Sequence, residues 1–66
     1  MNQNLSPREQ EVLQLFSEGL SEKEIAYRLS LSYRTVEHHV ERIISKLGVT
    51  NRIQALVKAI REGILK

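Results

Sequence analysis

Apolar side chains recur along this chain at three- and four-residue spacing in four blocks, and each block opens with a helix-start signal. Ser6-Pro7-Arg8-Glu9 has the form of a capping box with proline at the first helical position. Val12, Leu13, Leu15 and Phe16 follow as a broad apolar stripe, and Gly19 supplies a left-handed stop. Ser21-Glu22-Lys23-Glu24 repeats the box, with Ile25, Ala26 and Leu29 as the buried side of a second helix. Ser30-Leu31-Ser32 breaks the period, and Ser32 can cap a third helix from about Tyr33 to Leu47, roughly 22 Å long. On that helix Val36, Val40, Ile43, Ile44 and Leu47 share one side, and Arg34, His38, Glu41 and Ser45 lie opposite. Gly48 ends it. Asn51, with Gln54 three residues on, caps a fourth helix whose expected core stripe is Ile53, Leu56, Val57, Ile60 and Ile64.

No alternating strand pattern, internal repeat or low-complexity linker competes with this reading. The chain therefore reads as all-α: one four-helix domain over residues 5–66 behind a flexible N-terminus at residues 1–4. The second and third helices, joined by a short turn with the longer one last, have the form of a helix-turn-helix. In that motif the second helix lies in the major groove of DNA, and the residues opposite its core stripe read the bases. The alternative is an ordinary four-helix domain with a solvated polar face.

Composition narrows the chemistry. At 66 residues there is room for one small core, and with no Cys, neither disulfides nor thiolate zinc sites are available. No apolar run is long enough to span a membrane, and Met1 to Leu5 lacks the apolar segment of a secretory signal. A cytoplasmic protein is expected, and the absence of Cys fits a reducing compartment. The net charge of +2 is uneven: residues 1–31 carry three basic and five acidic side chains (−2), residues 32–66 seven basic and three acidic (+4). The second half is thus the expected partner of a polyanion. There is no Ser/His/Asp set and no phosphate-binding Gly-rich loop, and the chain is small for a small-molecule pocket, so neither an enzyme, a cofactor nor a ligand is expected. His38 and His39 are adjacent and point about 100° apart on a helix, which does not suit two ligands of one metal.

Five segments carry a family resemblance: Leu5-Ser-Pro-Arg-Glu-Gln-Glu-Val-Leu13, Gly19-Leu-Ser-Glu-Lys-Glu-Ile-Ala26, Thr35-Val-Glu-His-His39, Lys46-Leu-Gly-Val49 and Asn51-Arg-Ile-Gln-Ala55. In this order and spacing, over nearly the whole chain, they resemble the LuxR/GerE-type DNA-binding domain of bacterial transcription factors. The resemblance implies a four-helix fold, sequence-specific binding of double-stranded DNA and dimerisation through the last helix, and it admits RNA polymerase as a further partner. Members of that family occur as C-terminal domains of response regulators and quorum-sensing receptors, and as free-standing small regulators. A Met start at this length suits the last, and an excised domain would look the same.

Candidate roles follow from position. Arg34, Glu37, His38 and Glu41 are the base-reading candidates. Arg34, near the helix N-terminus, suits guanine or a phosphate, and Glu residues pair with cytosine N4 in the major groove. Glu37 can instead orient Arg34, three residues before it. Glu37 and Glu41 depart from the basic residues that many members of the resembled family carry there. Lys23, Tyr27, Arg28, Ser32, Tyr33, Thr35, Arg42, Lys46 and Arg52 are candidates for the DNA backbone, with Tyr33 equally suited to packing and Arg52 to bonding local carbonyls. His39, at the margin of the core stripe, suits a partly buried structural role. On the fourth helix Ala55 and Ala59, expected on the side away from the core stripe, stand with Lys58 and Glu62 as the dimer contact, since small side chains let a second helix approach. The acids on the reading face motivate an alternative from another class: an adaptor or antagonist that pairs its fourth helix with another regulator.

Overall fold

The computed structural model describes residues 5–65, in which four helices follow one another: α1 (Pro7–Ser17), α2 (Glu22–Leu29), α3 (Tyr33–Leu47) and α4 (Arg52–Arg61). The expected flexible N-terminus at residues 1–4 lies outside the described residues. Each helix starts where a side chain satisfies N–H groups that the helix leaves open. Ser6 Oγ accepts from the Glu9 N–H at 3.1 Å, and the Glu9 carboxylate accepts from the Ser6 N–H at 2.9 Å. Ser21 and Glu24 make the same reciprocal pair at 3.2 and 2.7 Å. The Ser21 backbone N–H, then its hydroxyl, hold the Glu24 carboxyl below its ordinary pKa. Ser32 Oγ accepts from the Thr35 N–H at 3.1 Å to start α3, and Asn51 Oδ1 from the Gln54 N–H at 2.9 Å to start α4.

The turn between α2 and α3 is made by Ser30, which takes the left-handed conformation (φ 58°, ψ 40°). Leu31 N–H then returns to the Ala26 carbonyl at 2.8 Å, closing α2 and aiming the chain into the Ser32 cap. α3 packs on each of the other three helices, whereas α2 and α4 do not pack on one another. Of its expected core stripe Val36, Val40, Ile43 and Leu47 are buried, against Val12 and Leu13 of α1, Ile25 of α2 and Ala55 of α4, and Ile44 is partly buried beside them.

Helix α4 is turned relative to the expectation. Ala55 and Ala59 are fully buried, so the assignment of these two residues to an outer dimer contact is overturned, while Ile53, Val57 and Ile60 are 69, 46 and 56% exposed. Of the expected stripe only Leu56 and Ile64 pack partly against the core, and Leu65 closes it. The physical reason is that α4 has two apolar faces, one of alanines and one of larger side chains. The alanine face lets the α4 backbone lie close to α3 and α1, as two larger rows at the same place would not.

Among the described residues one charged side chain is inside. Glu9 is 2% exposed, and its carboxylate accepts from Lys46 Nζ at 2.7 Å and from Arg42 Nε at 3.2 Å, tying α1 to α3. Burial by itself would raise the Glu9 pKa; the hydrogen bonds from Lys46, the Ser6 N–H and Arg42 together outweigh it and hold the group at about 2, down from 4.5. A carboxylate whose pKa is lowered by folding stabilises the fold fully above its unfolded pKa and loses that contribution as pH falls towards the folded value.

Two outcomes follow. In urea titrations Glu9→Gln should lower stability at neutral pH by about 2–3 kcal/mol, and the gap to the unsubstituted chain should close as pH falls from about 4.5 towards 2. A gap independent of pH would mean that the ion pairs contribute nothing. For α4, Ala59→Leu should cost about 1–3 kcal/mol by overpacking, while Ile60→Lys in dilute protein should stay within about 0.5 kcal/mol. The reverse order would restore the larger side chains to the core.

Candidate nucleic-acid interface

The outward side of α3 is set by its core stripe. With Val36, Val40, Ile43 and Leu47 fixed inside, Arg34, Glu37, His38, Glu41 and Ser45 all face solvent. These include the four base-reading candidates, on one continuous surface of the longest helix. None of Arg34, Glu37 and Glu41 makes an ion pair among the described residues. The alternative in which Glu37 orients Arg34 therefore has no ion pair behind it. His39 is half-buried at the edge of the core, as its position suggests, and its buried Nδ1 has no hydrogen-bond partner among the described residues.

The backbone candidates divide by what already holds them. Lys23, Tyr27 and Arg28 stand on the exposed side of α2, Tyr27 being 90% exposed. Lys23 and Arg28 form no ion pair among the described residues. Ser32 and Thr35 are engaged with each other: beyond the cap bond, their hydroxyl oxygens lie 2.9 Å apart. Arg42 and Lys46 both meet Glu9, but Lys46 is the more committed, with its side chain 24% exposed against 56% for Arg42.

Tyr33 and Arg52 converge on Glu22, a residue without a role in the sequence reading beyond its place in the helix start. Arg52 donates to Glu22 at 2.9 Å and its guanidinium lies 5.6 Å from the Phe16 ring centre, so it holds α4 by a partner on α2 and an aromatic face on α1, not by local carbonyls. A hydrogen bond to Glu22, then its negative charge, raises the Tyr33 phenol above its ordinary pKa. On α4, Lys58 donates to the Leu47 carbonyl at 2.8 Å and lies 3.9 Å from Glu62. The carboxylates of Glu9 and Glu22 are the site residues that sequence reasoning missed. Their charged partners lie 30 or more positions away, and the local signal was that each falls in the first turn of a capped helix.

Charge on this surface is thus uneven. Lys23, Arg28 and Arg34 are uncommitted cations on the two helices that flank the turn, and Glu37 and Glu41 are uncommitted acids on α3. Such a surface can bond phosphates through its cations and base-edge amino groups through its carboxylates. Among the described residues there is no group of three or more His, Cys, Asp or Glu that could hold a metal ion, and no helix is long and apolar enough to cross a membrane.

Comparison with known proteins agrees with this fold. The fold superposes on the structure of the transcription factor GerE with a TM-score of 0.89 and 40% identity, over 94% of this chain and 92% of that one. It also superposes on the response regulator ChrA of a heme-sensing two-component system, with a TM-score of 0.87 and 44% identity over 94% of this chain and 31% of that one. In sequence it is 45% identical over 64 residues to the transcriptional activator protein SolR of Ralstonia solanacearum, covering 97% of this chain and 27% of that protein. It is 44% identical over 62 residues to the transcriptional regulatory protein DegU of Brevibacillus brevis, covering 94% of this chain and 26% of that protein. An HTH-type transcriptional regulator of Mycobacterium bovis is 47% identical over 60 residues, 91% of this chain but 7% of that protein. The chain thus spans less than a third of the length of four of these five proteins. Residues 3–59 match the family described as bacterial regulatory proteins, luxR family, and the chain belongs to that family of DNA-binding transcription regulators.

Proposed function

We propose that this domain binds specific sequences in double-stranded DNA as a homodimer, with α3 in the major groove, and so regulates transcription. The observation that carries the reading is the outer row of α3, whose side chains are exposed and largely uncommitted while the rest of the helix is fixed by three packed neighbours. Arg34, Glu37, His38 and Glu41 are the base readers. Lys23, Arg28 and Arg42 supply the phosphate charges, assisted by Tyr27 and Thr35. Lys46 and Arg52 stand apart from these contacts, because Glu9 and Glu22 already neutralise them.

The dimer contact is assigned to the larger apolar face of α4. Ile53, Val57 and Ile60 lie within about 60° of arc on the helix and are exposed, and Ile53 and Val57 line a shallow groove together with Val49, Lys58 and Arg61. A two-fold axis through this face gives an isologous contact in which Glu62 of one copy can meet basic side chains of the other. The apolar area is small, so the dimer is weak without DNA or an attached domain.

The uncommitted acids on α3 favour a second reading, an adaptor that pairs α4 with another regulator and binds DNA poorly. Selection from a random duplex pool separates the two. Enrichment of a two-fold symmetric motif with half-sites about one helical turn apart supports the first, and a folded chain that enriches nothing and leaves heparin at low salt supports the second.

On the enriched duplex, Arg34→Ala should cost about 1–3 kcal/mol and relax specificity at one position. Lys23→Ala should weaken all sequences alike and lower the salt slope by about one per protomer; an unchanged slope would place α2 away from the backbone. Ile60→Lys should leave half-site binding intact and abolish the gain from a second half-site in a gel-shift titration.

A further inference from the structure

We infer that Glu9 is a positioning residue for DNA contact: it grips Arg42 through Nε so that the two Nη nitrogens are presented to a backbone phosphate, and it withdraws Lys46 from the phosphate contacts. This rests on the reading of α3 as the groove helix. Glu9 belongs to α1 and is itself 2% exposed, so it touches no DNA. Its two oxygens treat the two cations differently. Oε1 takes Lys46 Nζ at 2.7 Å together with the Ser6 N–H at 2.9 Å, and the Lys46 side chain is largely covered. Oε2 takes Arg42 Nε at 3.2 Å, and the Arg42 side chain remains 56% exposed.

A guanidinium has five N–H donors in a rigid plane, and an ammonium is a single point of charge. A bond at Nε leaves the Nη donors free, and none of them makes a hydrogen bond among the described residues. The plane is therefore oriented before any ligand arrives, and the rotamer freedom that an unheld arginine loses on binding is already lost on folding. One carboxylate against two cations leaves one net positive charge, and it is exposed at Arg42. Counting about 100° per residue, Arg42 lies roughly 80° around α3 from Arg34. That puts it on the flank facing α1, where a groove-bound helix meets the sugar-phosphate strand.

The test is the salt dependence of binding to a mixed-sequence duplex, on which a phosphate contact acts whatever the bases. Arg42→Ala should weaken binding about tenfold and lower the salt slope by about one per protomer. Arg42→Lys should behave like Arg42→Ala, because the single nitrogen of lysine would go to Glu9. Lys46→Gln should leave the slope unchanged. Glu9→Gln should weaken binding of the unsubstituted chain but cause no further loss in Arg42→Ala, where the released Lys46 can only add positive charge, a pattern that simple loss of stability does not produce. Full affinity and slope in Arg42→Lys, a lower slope in Lys46→Gln, or equal losses from Glu9→Gln in both backgrounds would each overturn the inference.

Should Glu9→Gln not fold, nitrogen-15 NMR of the free unsubstituted chain gives the answer without it. The Arg42 Nε–H should be protected from exchange at neutral pH while that of Arg34 is not, and equal exchange would overturn the inference. If the unsubstituted chain binds no duplex at any salt, the DNA reading itself fails before any variant is compared, and this inference falls with it.

Discussion

The carboxylate of Glu9 sits where helix start, helix packing and surface charge meet. It closes the α1 cap through the Ser6 N–H, and it ties α1 to α3 through two cations. A buried carboxylate is costly unless its oxygens are fully engaged, and those of Glu9 are. The same bonds fix the rotation of α3 about its own axis, since Arg42 and Lys46 lie on one flank of that helix. Everything on the outward side of α3 inherits its orientation from that arrangement and from the core stripe of Val36, Val40, Ile43 and Leu47.

Electrostatics then differentiate the surface. Basic residues outnumber acidic ones by only two, but intramolecular pairing decides which charges are available. Glu9 and Glu22 hold cations of α3 and α4, while Lys23, Arg28 and Arg34 form no ion pair among the described residues around the turn. The positive surface is therefore concentrated near α2 and the start of α3, more sharply than the split between the two halves of the chain suggests. Glu22 plays a further part as a bridge: α2 and α4 do not pack together, and its bond to Arg52 spans them.

Much of the fold was legible in the sequence because its helix boundaries are written locally. Ser6 with Glu9, Ser21 with Glu24, Ser32 and Asn51 each act on residues within one turn, and all four helices start where these caps place them. The inward face of α3 was legible too, since its large apolar residues fall on one side only. In α4 they do not set the inward face: size favoured Ile53, Val57 and Ile60, but close helix approach favoured Ala55 and Ala59. The exposed row of α3 followed from periodicity alone. Which of the basic residues are already neutralised did not, because Glu9 finds Arg42 and Lys46, and Glu22 finds Arg52, only through the tertiary fold.

The two faces of α4 are mechanically separate. One is locked into the monomer by side chains too small to change without distorting the core, and the other carries Ile53, Val57 and Ile60 with little bearing on the core. Substitutions on the outer face can therefore accumulate without unfolding the domain. Under the proposed dimer contact, a duplicated copy could drift there until it no longer recognised its parent, while keeping the same caps, the same core and the same outward row of α3. Insulation of this kind lets one scaffold give rise to many regulators that coexist in a cell without cross-pairing.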